Sequence, residues 1–418
     1  GGVWSMREMK DSGIEWIGEI PVNWAKTRIG NLFRFSSGDS LTNEEIQDEG
    51  LYKVYGANGP RGYYHHTNLA GKHILIGRVG ALCGNIHIVD EPVWVTEHAL
   101  IAEQISPDVC TDFAGRVFES MNLGQYSKAS AQPVIASSVV QRLQIPIPPS
   151  LEQRRIADYL DRKCSQIDAI IARQQEVIEK LKDYKLSVIT EVVTKGLNPD
   201  VPMKDSGVEW IGEVPEHWKM VRLKFLLSQI IDCPHETPIY SDDGAYLVIR
   251  TADQDLGKLR TDEDMYRLDE SEYQNRIRRM SLEKDDIVYG REGERWGLAC
   301  LVPESNKYCL GQRMLQFRCK IESFLPRFAM WALNSKFVYL QGAVDTIGST
   351  SPHVNISTLR NFLIPVPNIN EQKEIAEYID KKMLQLDKEV KQRENLINKL
   401  NEYKKSLIYE VVTGKKEV

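Results

Sequence analysis

A long stretch of helical sequence occurs twice in this chain of 418 residues. The copies are residues 152–193 and 371–412, and neither contains a glycine or a proline that would force a break in a helix. A helix of that length extends roughly 60 Å, at about 1.5 Å per residue. Two such helices need long partners, and a chain of this size predicts two or three domains rather than one ordinary core.

Apolar residues recur in both copies at alternating steps of four and three residues, which is the spacing of a coiled-coil seam. In the first copy they are Leu160, Cys164, Ile167, Ile171, Ile178, Leu181, Val188 and Val192. In the second copy they are Ile379, Met383, Leu386, Val390, Ile397, Leu400, Leu407 and Val411. The shared register favours each helix as the partner of the other, over the alternative of two unrelated surface helices.

Polar residues interrupt the two seams at matched positions, Gln174 and Lys185 in the first copy and Arg393 and Lys404 in the second. Such residues can fix the register of a coiled coil at some cost in stability. We expect the helices to run antiparallel, because parallel helices would need a long return connection that the sequence lacks. Antiparallel helices would bring Val418 back to the beginning of the first globular part.

The repeat extends beyond the helices into the two globular parts that precede them. Residues 9–21 return as residues 203–215 with two isoleucine-to-valine changes. The tetrapeptide Gly-Arg-Val-Gly at 77–80 returns as Gly-Arg-Glu-Gly at 290–293. The separation between matching residues grows along the globular part and is constant through the helix, so the second globular part has gained residues and the helix has not. Internal duplication is the firmest conclusion from the sequence.

Short strands and a few helices are predicted inside each globular part. The predicted strands are 73–76, 86–89, 94–96 and 143–149 in the first part, and 245–249, 286–289, 299–302, 314–317 and 362–367 in the second. The predicted helices are 113–123 and 326–340. The prolines in the last strand of each part exclude that strand from the centre of a sheet, and they directly precede the start of the long helix. Ser150 and Gln153 are expected to form a capping box at its start.

Together these patterns predict an α+β fold, in which two mixed α/β domains are joined by two long antiparallel coiled-coil helices in a pseudo-twofold internal repeat. The expected segments are a first globular domain at 6–149, a central helix at 150–195, a second globular domain at 196–367 and a distal helix at 368–418. Residues 1–5 resemble a remnant of an expression vector and are excluded from this assignment.

Composition and charge narrow the functional class. The chain is 42% hydrophobic and 27% charged, which is typical of a globular protein, and no apolar run is long enough to span a membrane. Its seven cysteines are odd in number and lack paired close spacing, so a disulfide framework and a zinc site are poorly supported, and a reducing cytoplasm fits best. The net charge of −6 means that any nucleic-acid binding must come from local surfaces.

Several motifs of this sequence resemble those of a known family, the specificity subunits of type I restriction–modification systems. The resemblance rests on the opening motif Lys-Asp-Ser-Gly-Ile-Glu-Trp-Ile-Gly-Glu-Ile-Pro at 10–21 and its copy at 204–215. It also rests on Ile-Pro-Val-Pro at 364–367 with Glu-Gln-Lys-Glu-Ile-Ala at 371–376, and on Val-Val-Thr-Lys-Gly at 192–196. It covers essentially the whole chain, and the combination is far more specific than any single motif.

This resemblance implies a DNA-reading subunit with no chemistry of its own. Each globular domain, a target recognition domain, would read one half of an asymmetric, split DNA sequence, and the antiparallel helices would act as the spacer. The helices would also dock two methyltransferase subunits, which bring S-adenosylmethionine, and two restriction and translocase subunits would complete the complex. No cofactor is expected in this chain, because the partner subunits would bind S-adenosylmethionine, ATP and Mg²⁺.

The search for catalytic motifs agrees with this division of labour. The sequence has no Gly-x-x-x-x-Gly-Lys-Ser/Thr phosphate loop and no Asn/Asp-Pro-Pro-aromatic signature of an amino-methyltransferase. His65 and His66 form its one close pair of histidines, and adjacent imidazoles in a loop are more often surface groups than metal ligands. A nuclease carboxylate site is too degenerate a pattern to exclude, but none stands out.

Candidate DNA-reading residues are cationic or amide side chains on loops, because Arg and Lys suit guanine edges and Asn and Gln suit adenine edges. In the first globular part they are Tyr55, Asn58, Arg61, Arg78 and Gln132. In the second they are Arg250, Arg291, Arg295, Gln312, Arg313, Ser351, His353 and Asn355. An ordinary surface or turn role is the alternative for each, and core packing is favoured for Tyr55 and Trp296. Arg276, Arg278 and Arg279 are assigned to phosphate contact or to solvation of a helix.

Two other functional classes remain as alternatives. A duplicated coiled-coil scaffold that binds proteins rather than DNA would suit the acidic balance of both globular parts. A self-contained enzyme with a degenerate nuclease site has no positive feature in the sequence.

Overall fold

The computed structural model describes residues 7–127, 133–260, 262–293, 295–344 and 353–418. The chain forms two compact units. The first unit is Gly1–Gln174 with Glu394–Val418, and the second unit is Gln175–Arg393. Each unit therefore contains one globular part and a portion of each long helix.

The first globular part is built mainly from short strands. These are β1 (Met9–Ile14), β2 (Gly18–Pro21), β3 (Ala25–Arg28), β4 (Phe33–Ser37), β5 (Tyr52–Gly56), β6 (Gly59–Tyr64), β7 (His73–Gly77), β8 (Ile86–Val89), β9 (Val93–Val95), β10 (Ala99–Gln104) and β11 (Gln144–Ile147). Its helices are α1 (Thr111–Ser120) and α2 (Ser137–Arg142), and 3-10 turns occur at Ile29–Asn31 and Leu123–Tyr126. Strands β7, β8, β9 and β11 confirm the four strands predicted from the sequence.

Two sheets organise this part. One is antiparallel in the order β4-β10-β7-β8, and the other has the order β6-β5-β9, with β5 and β9 parallel. Helix α1 packs on the first sheet, where the buried side chains of Phe113 and Val117 join those of Ile74 and Leu100. Burial of each such side chain contributes about 1.5–3 kcal/mol. The proline-containing strand β11 pairs with β3 in a separate two-stranded ladder, in agreement with the peripheral position expected for it.

Helix α3 (Ser150–Lys195) follows, and then the second globular part. Its strands are β12 (Met203–Asp205), β13 (Glu213–Pro215), β14 (Lys219–Arg222), β15 (Leu227–Asp232), β16 (Tyr246–Ile249), β17 (Gln254–Asp255), β18 (Lys258–Leu259), β19 (Arg267–Leu268), β20 (Ile287–Gly290), β21 (Ala299–Leu301), β22 (Tyr308–Leu310), β23 (Met314–Cys319) and β24 (Leu363–Val366). Its helices are α4 (Leu223–Leu226), α5 (Glu270–Arg276), α6 (Pro326–Leu333), α7 (Lys336–Ala343) and α8 (Ile356–Arg360), with 3-10 turns at Thr251–Asp253 and Asp262–Asp264.

The second globular part repeats the sheet pattern of the first. Its antiparallel sheet has the order β15-β23-β20-β21, and its mixed sheet has the order β19-β16-β22, with β16 and β22 parallel. The five strands predicted for this part are confirmed by β16, β20, β21, β23 and β24. The single helix predicted at 326–340 is wrong in one respect, because α6 and α7 replace it and are separated at Asn334 and Ser335.

Helix α9 (Ile369–Val412) ends the architecture, and it runs antiparallel to α3 within each unit. In the first unit, Nζ of Lys404 lies 2.7 Å from the carboxylate of Asp168. In the second unit, Lys185 forms the matching ion pair with Asp387. The seam lysines therefore pair with carboxylates at matched places in the repeat, and the seam residues between them are buried or half-buried. This confirms the predicted pairing of the helices.

The capping box predicted for Ser150 and Gln153 is wrong, because Gln153 makes other hydrogen bonds. Its side chain is fully buried, its Nε2 donates to the carbonyl oxygens of Asp108 (2.8 Å) and Pro148 (2.9 Å), and its Oε1 accepts from the amide of Cys110 (2.7 Å). The start of α3 is thereby fixed to the first globular part rather than closed on itself.

Gln372 repeats this arrangement at the start of α9 in the second unit. Its Nε2 donates to the carbonyl oxygens of Ser323 (2.9 Å) and Pro367 (3.0 Å), and its Oε1 accepts from the amide of Leu325 (2.8 Å). Each helix thus leaves its own globular part in a direction set by a buried glutamine.

The C-terminal residues lie beside the opening motif in the first unit, as the antiparallel arrangement predicts. Nζ of Lys415 donates to the carbonyl oxygen of Ile17 (2.9 Å), and the ring of Tyr409 is 6.3 Å from that of Trp16. Gly414 has φ = +74°, and a Cβ atom there would lie 2.4 Å from Cδ of Pro21, so only glycine fits. No helix in the described ranges is long and apolar enough to cross a membrane.

Candidate nucleic-acid interface

The antiparallel sheet of the second unit brings several candidate residues to one edge. Strands β15 and β20 both pair antiparallel with β23, so their carboxyl ends lie beside the amino end of β23. The parallel strands β16 and β22 end beside each other, directly before the loop that leads into β23. There the amide of Gly311 donates to the carbonyl oxygen of Ile249 (2.8 Å). The candidates Arg250, Arg291, Gln312 and Arg313 directly follow or precede these strand ends, and we call this region the second-unit edge.

Arg291 is the buried residue of this edge, with a side chain that is 8% exposed. Its Nη2 lies 3.4 Å from Oδ2 of Asp232 and 3.3 Å from Oε1 of Glu292. Its backbone amide donates to the carbonyl oxygen of Arg313 (3.0 Å), and its own carbonyl oxygen accepts from the amide of Val354 (3.0 Å). Arg291 therefore connects three segments of the edge while its charge is balanced by two carboxylates.

Arg313 is the exposed cation of the same edge, with a side chain that is 57% exposed. Its φ of 67° places a non-glycine residue in the left-handed region, which costs free energy and persists where neighbours fix the backbone. Its Nε is 3.7 Å from Oε2 of Glu292, which is a loose ion pair. Beside it, Nε2 of Gln312 donates to the carbonyl oxygen of His235 (2.8 Å) and to Oγ1 of Thr237 (3.1 Å).

Arg250 is held by its neighbours more firmly than Arg295. Its Nε and Nη2 donate to the buried carboxylate of Asp253 at 2.8 and 2.7 Å, and its guanidinium lies 3.8 Å from the ring centre of Tyr266. The hydrogen bond to Asp253 raises the pKa of Arg250, so the cation is retained. Arg295 is exposed, and its Nη1 makes a long contact to the carbonyl oxygen of Ala252 (3.4 Å).

The segment after residue 352 returns to this edge. His353 forms an isolated antiparallel bridge with Glu292. His353 and Asn355 are both exposed, and Asn355 directly precedes α8. The candidate Ser351 lies outside the described residues.

The first unit has the corresponding edge, where β4 and β7 end and β10 begins. The amide of Arg78 donates to the carbonyl oxygen of His98 (2.8 Å), and the carbonyl oxygen of Arg78 accepts from the amide of Ile135 (2.9 Å). Nη1 of Arg78 donates to Oγ of Ser37 (3.0 Å), and no ion pair of Arg78 with a carboxylate occurs in the part of the chain that the structure describes. The candidate Gln132 lies outside the described residues. We call this region the first-unit edge.

A hairpin of β5 and β6 brings Tyr55, Asn58 and Arg61 to the first-unit edge. Its two-residue turn lies against Gly77, where a Cβ atom would be 2.2 Å from the carbonyl oxygen of Ala57. Asn58 and Arg61 are exposed, and Nη2 of Arg61 donates to Oδ1 of Asn43 (2.7 Å).

Tyr55 packs edge-on against His87, with ring centres 6.0 Å apart. Burial lowers the pKa of His87, so this ring favours its neutral form. The half-buried position of Tyr55 agrees with the packing role favoured by the sequence.

Several other sequence assignments are settled by burial. Trp296 is buried and stacks on Tyr339 with ring centres 4.3 Å apart, which confirms its packing role. Arg276 is also buried, and its guanidinium donates to the carbonyl oxygens of Pro234 (3.1 Å), Glu236 (2.8 Å) and Leu310 (2.8 Å). Its assignment to phosphate contact or helix solvation is therefore wrong, because its cation organises backbone inside the fold.

The sequence did not single out Ser37, Asp232 or His98, although all three belong to the edges. His98 holds in the first unit the place of Arg313 in the second, since each carbonyl oxygen accepts from the amide of the arginine in the repeated tetrapeptide. Aligning the two halves strand by strand, instead of by identical motifs, is the signal that would have found them.

No cluster of metal-ligating side chains is found in the described ranges. The His65 and His66 rings lie 4.3 Å apart and are exposed, beside the ring of Tyr64. The edges therefore offer cations, amides and imidazoles on exposed loops, which is a set of groups suited to recognition of phosphates and base edges.

Comparison with known proteins gives a consistent family. The protein-family model described as "Type I restriction modification DNA specificity domain" matches residues 21–180 and 215–402 of this chain. A specificity subunit of the EcoprrI enzyme from Escherichia coli is 33% identical over 148 residues, which are 34% of this chain and 37% of that protein. The MjaVIII specificity subunit from Methanocaldococcus jannaschii is 24% identical over 419 residues, which cover 95% of this chain and 93% of the relative.

A solved structure supports the same fold. It comes from work on complex assembly and conformational transition of the type I R-M system, and it aligns with a TM-score of 0.68 at 16% identity, over 95% of this chain and 99% of that one. At this level of identity the likeness concerns the fold. Because the family model matches once in each half and together covers well over half of the residues, the chain belongs to the type I restriction–modification DNA specificity family.

Proposed function

We propose that this chain is the DNA-reading specificity subunit of a type I restriction–modification complex, in which each globular part reads one half of a bipartite, asymmetric DNA site. The observation that carries the proposal is the duplicated sheet edge. Each edge presents exposed loop side chains around a Gly-Arg-x-Gly tetrapeptide, at Arg78 in the first unit and Arg291 in the second. The exposed residues differ between the edges, as two unrelated half-sites require.

The long helices act as the spacer between half-sites and as the docking surface for two methyltransferase subunits. The buried Gln153 and Gln372 support this role, because each fixes the start of one helix to its own globular part. Two restriction and translocase subunits complete the complex. The partner subunits bind S-adenosylmethionine, ATP and Mg²⁺, and this chain contributes no catalytic group.

The charge distribution is compatible with DNA binding despite the net charge of −6. Exposed cations of the second-unit edge include Arg295 and Arg313, and the first-unit edge adds Arg61. Local cations of this kind supply phosphate contacts whatever the bulk charge is, and partner subunits add more.

Methylation mapping tests the proposal. Cells that express the chain with its methyltransferase partner are expected to carry methylated adenines in one bipartite motif. Replacing residues 6–149 with the matching part of another family member is expected to change one half of that motif and to leave the other half unchanged. A hybrid that kept both original halves would contradict the assignment of one half-site to each globular part.

Salt dependence separates DNA reading from a protein-binding scaffold. DNA contacts made by cations release counterions, so retention of duplex DNA by the complex must weaken steeply as salt rises. Retention that is absent, or that does not respond to salt, would favour the scaffold.

A further inference from the structure

The arginine of the Gly-Arg-x-Gly tetrapeptide makes the same backbone hydrogen bonds in both units, but its side chain meets a neutral hydroxyl in the first unit and two carboxylates in the second. In both units its amide donates to the residue that precedes β10 or β23, and its carbonyl oxygen accepts from the segment before α2 or α8. In both units its side chain reaches the last residue of the first sheet strand. That residue is Ser37 in the first unit and Asp232 in the second, and each pairs with the second residue of the adjacent strand.

These two differences in sequence decide the charge that each edge displays. Arg78 donates to the neutral hydroxyl of Ser37, and the next residue is Val79. Arg291 lies against the carboxylates of Asp232 and Glu292 and is nearly inaccessible. A cation bonded to a neutral hydroxyl keeps its full attraction for an anion, whereas a buried cation between two carboxylates does not.

We propose that Arg78 contacts DNA directly, whereas Arg291 is a positioning residue and the direct contact of the second unit passes to Arg313. This inference rests on the proposed function and deepens it. Arg291 holds Arg313 in two ways. Its amide donates to the carbonyl oxygen of Arg313, whose backbone is left-handed. Its guanidinium also lies 3.3 Å from Oε1 of Glu292, whose Oε2 lies 3.7 Å from Nε of Arg313, and this side-chain link is the one that Arg291→Met removes. The loose ion pair of Arg313 with Glu292 is exchanged for the DNA anion on binding.

Charge swaps at the matched serine and aspartate provide the sharpest test. Ser37→Asp places a carboxylate at the Oγ position that Arg78 already reaches at 3.0 Å. It is expected to act like Arg78→Met, weakening binding about fivefold or more and reducing the dependence of log K on log salt by about one. Ser36→Asp is the matched control, because it adds the same charge at the neighbouring residue, whose side chain points to the other face of β4.

Two substitutions in the second unit distinguish a direct DNA contact by Arg313 from a positioning role of Arg291. Arg313→Met is expected to weaken binding and to reduce the salt dependence by about one, as Arg78→Met does. Arg291→Met is expected to weaken binding with no change in salt dependence, because it removes a cation that is already neutralised. The double variant Arg291→Met with Asp232→Asn is expected to recover part of the lost affinity, since it also removes the half-buried carboxylate that would otherwise be left with His235 as its hydrogen-bond partner.

The measurements use the full chain in complex with its methyltransferase partner and a duplex that contains the motif found by methylation mapping. Circular dichroism and the yield of complex show which variants fold. If the wild-type complex shows no salt-dependent binding, the proposed function fails and this inference fails with it. If the wild type binds normally but Ser37→Asp equals Ser36→Asp, or Arg291→Met lowers the salt dependence as much as Arg78→Met, this inference alone is overturned.

Discussion

The starts of the long helices and the edges of the sheets differ in how faithfully the duplication has kept them. At the helix starts, Gln153 and Gln372 make the same three hydrogen bonds to matched backbone groups. At the edges, the backbone bonds are kept, but Ser37 is replaced by Asp232 and His98 by Arg313. The comparison separates backbone and helix-start contacts, which both halves keep, from edge side chains, which differ between them.

The largest loss of stability is expected at the helix starts, where the two units share the same hydrogen bonds. Gln153→Ala and Gln372→Ala each leave buried carbonyl and amide groups without partners, so each is expected to destabilise its unit by roughly 3 kcal/mol. Urea denaturation of the full chain, followed by tryptophan fluorescence, measures the loss. Gln175→Ala, at an exposed position on α3, is the control and is expected to change stability by less than about 0.5 kcal/mol. Clearly unequal effects of the two buried substitutions would show that the two helix starts are not equivalent.

The secondary structure that both halves share was predicted well, because the sequence signals for it are local. The helices and several strands follow from apolar periodicity, prolines and glycines that lie within one segment. The division between α6 and α7 was missed because it depends on tertiary structure. Buried Asn334 bonds to both backbone groups of Ala299 in β21, which lies 35 residues earlier.

The edges were predicted less well for the same physical reason. Arg291 and Asp232 are 59 residues apart, so the burial and charge balance of this arginine depend on strand pairing that no local pattern reveals. The repeated tetrapeptide marked a loop at the edge of each antiparallel sheet, but the surroundings of its arginine side chain depend on the fold. The assignment of the exposed side chains to DNA reading stays a prediction.

The opening motif provides a second, smaller contrast between the units. In the first unit Tyr409 packs on Trp16, and its hydroxyl donates to the carbonyl oxygens of Trp16 (3.4 Å) and Ile17 (3.3 Å). The matched residue in the second unit is Thr190, and Trp210 there is 40% exposed. Tyr409→Thr is expected to destabilise the first unit by about 2 kcal/mol, because it removes aromatic burial, the two long hydrogen bonds of the hydroxyl to these carbonyl oxygens and the bond that the hydroxyl accepts from Nζ of Lys415.

Thermal unfolding of the Tyr409→Thr variant measures this effect, with Tyr403→Thr as the control at an exposed position of α9. A loss in the control as large as that of Tyr409→Thr would mean that helix propensity, and not contact with the opening motif, accounts for the change. The difference in stability loss between the two variants measures how much the first unit gains from the contact of Tyr409 with Trp16, at a place where the second unit has Thr190 and an exposed Trp210.

The smallest expected effect concerns the seam, where matched ion pairs differ in their surroundings. Asp387 binds Lys185 and also Lys258, whereas Asp168 binds Lys404 and is 54% exposed. Burial alone would raise the pKa of Asp387, but hydrogen bonds from the two lysines outweigh it, so its pKa is lowered. A lowered pKa in the folded state means that the carboxylate stabilises the fold fully above its ordinary value near 4. That stabilisation is lost as the pH falls through the folded pKa.

Asp387→Asn is therefore expected to cost about 1 kcal/mol at pH 7 and progressively less below about pH 4, whereas Asp168→Asn costs about 0.5 kcal/mol or less at pH 7. Urea unfolding of both variants from pH 3 to pH 7 measures the difference. An Asp387→Asn penalty that is equally large at pH 3 would mean that the side chain stabilises the seam by packing instead of by charge. Because α3 and α9 keep the same Lys–Asp pair in each unit, the excess at Asp387 measures what its lower exposure and its second partner Lys258, a residue of the globular part, together add to the attachment of the helix.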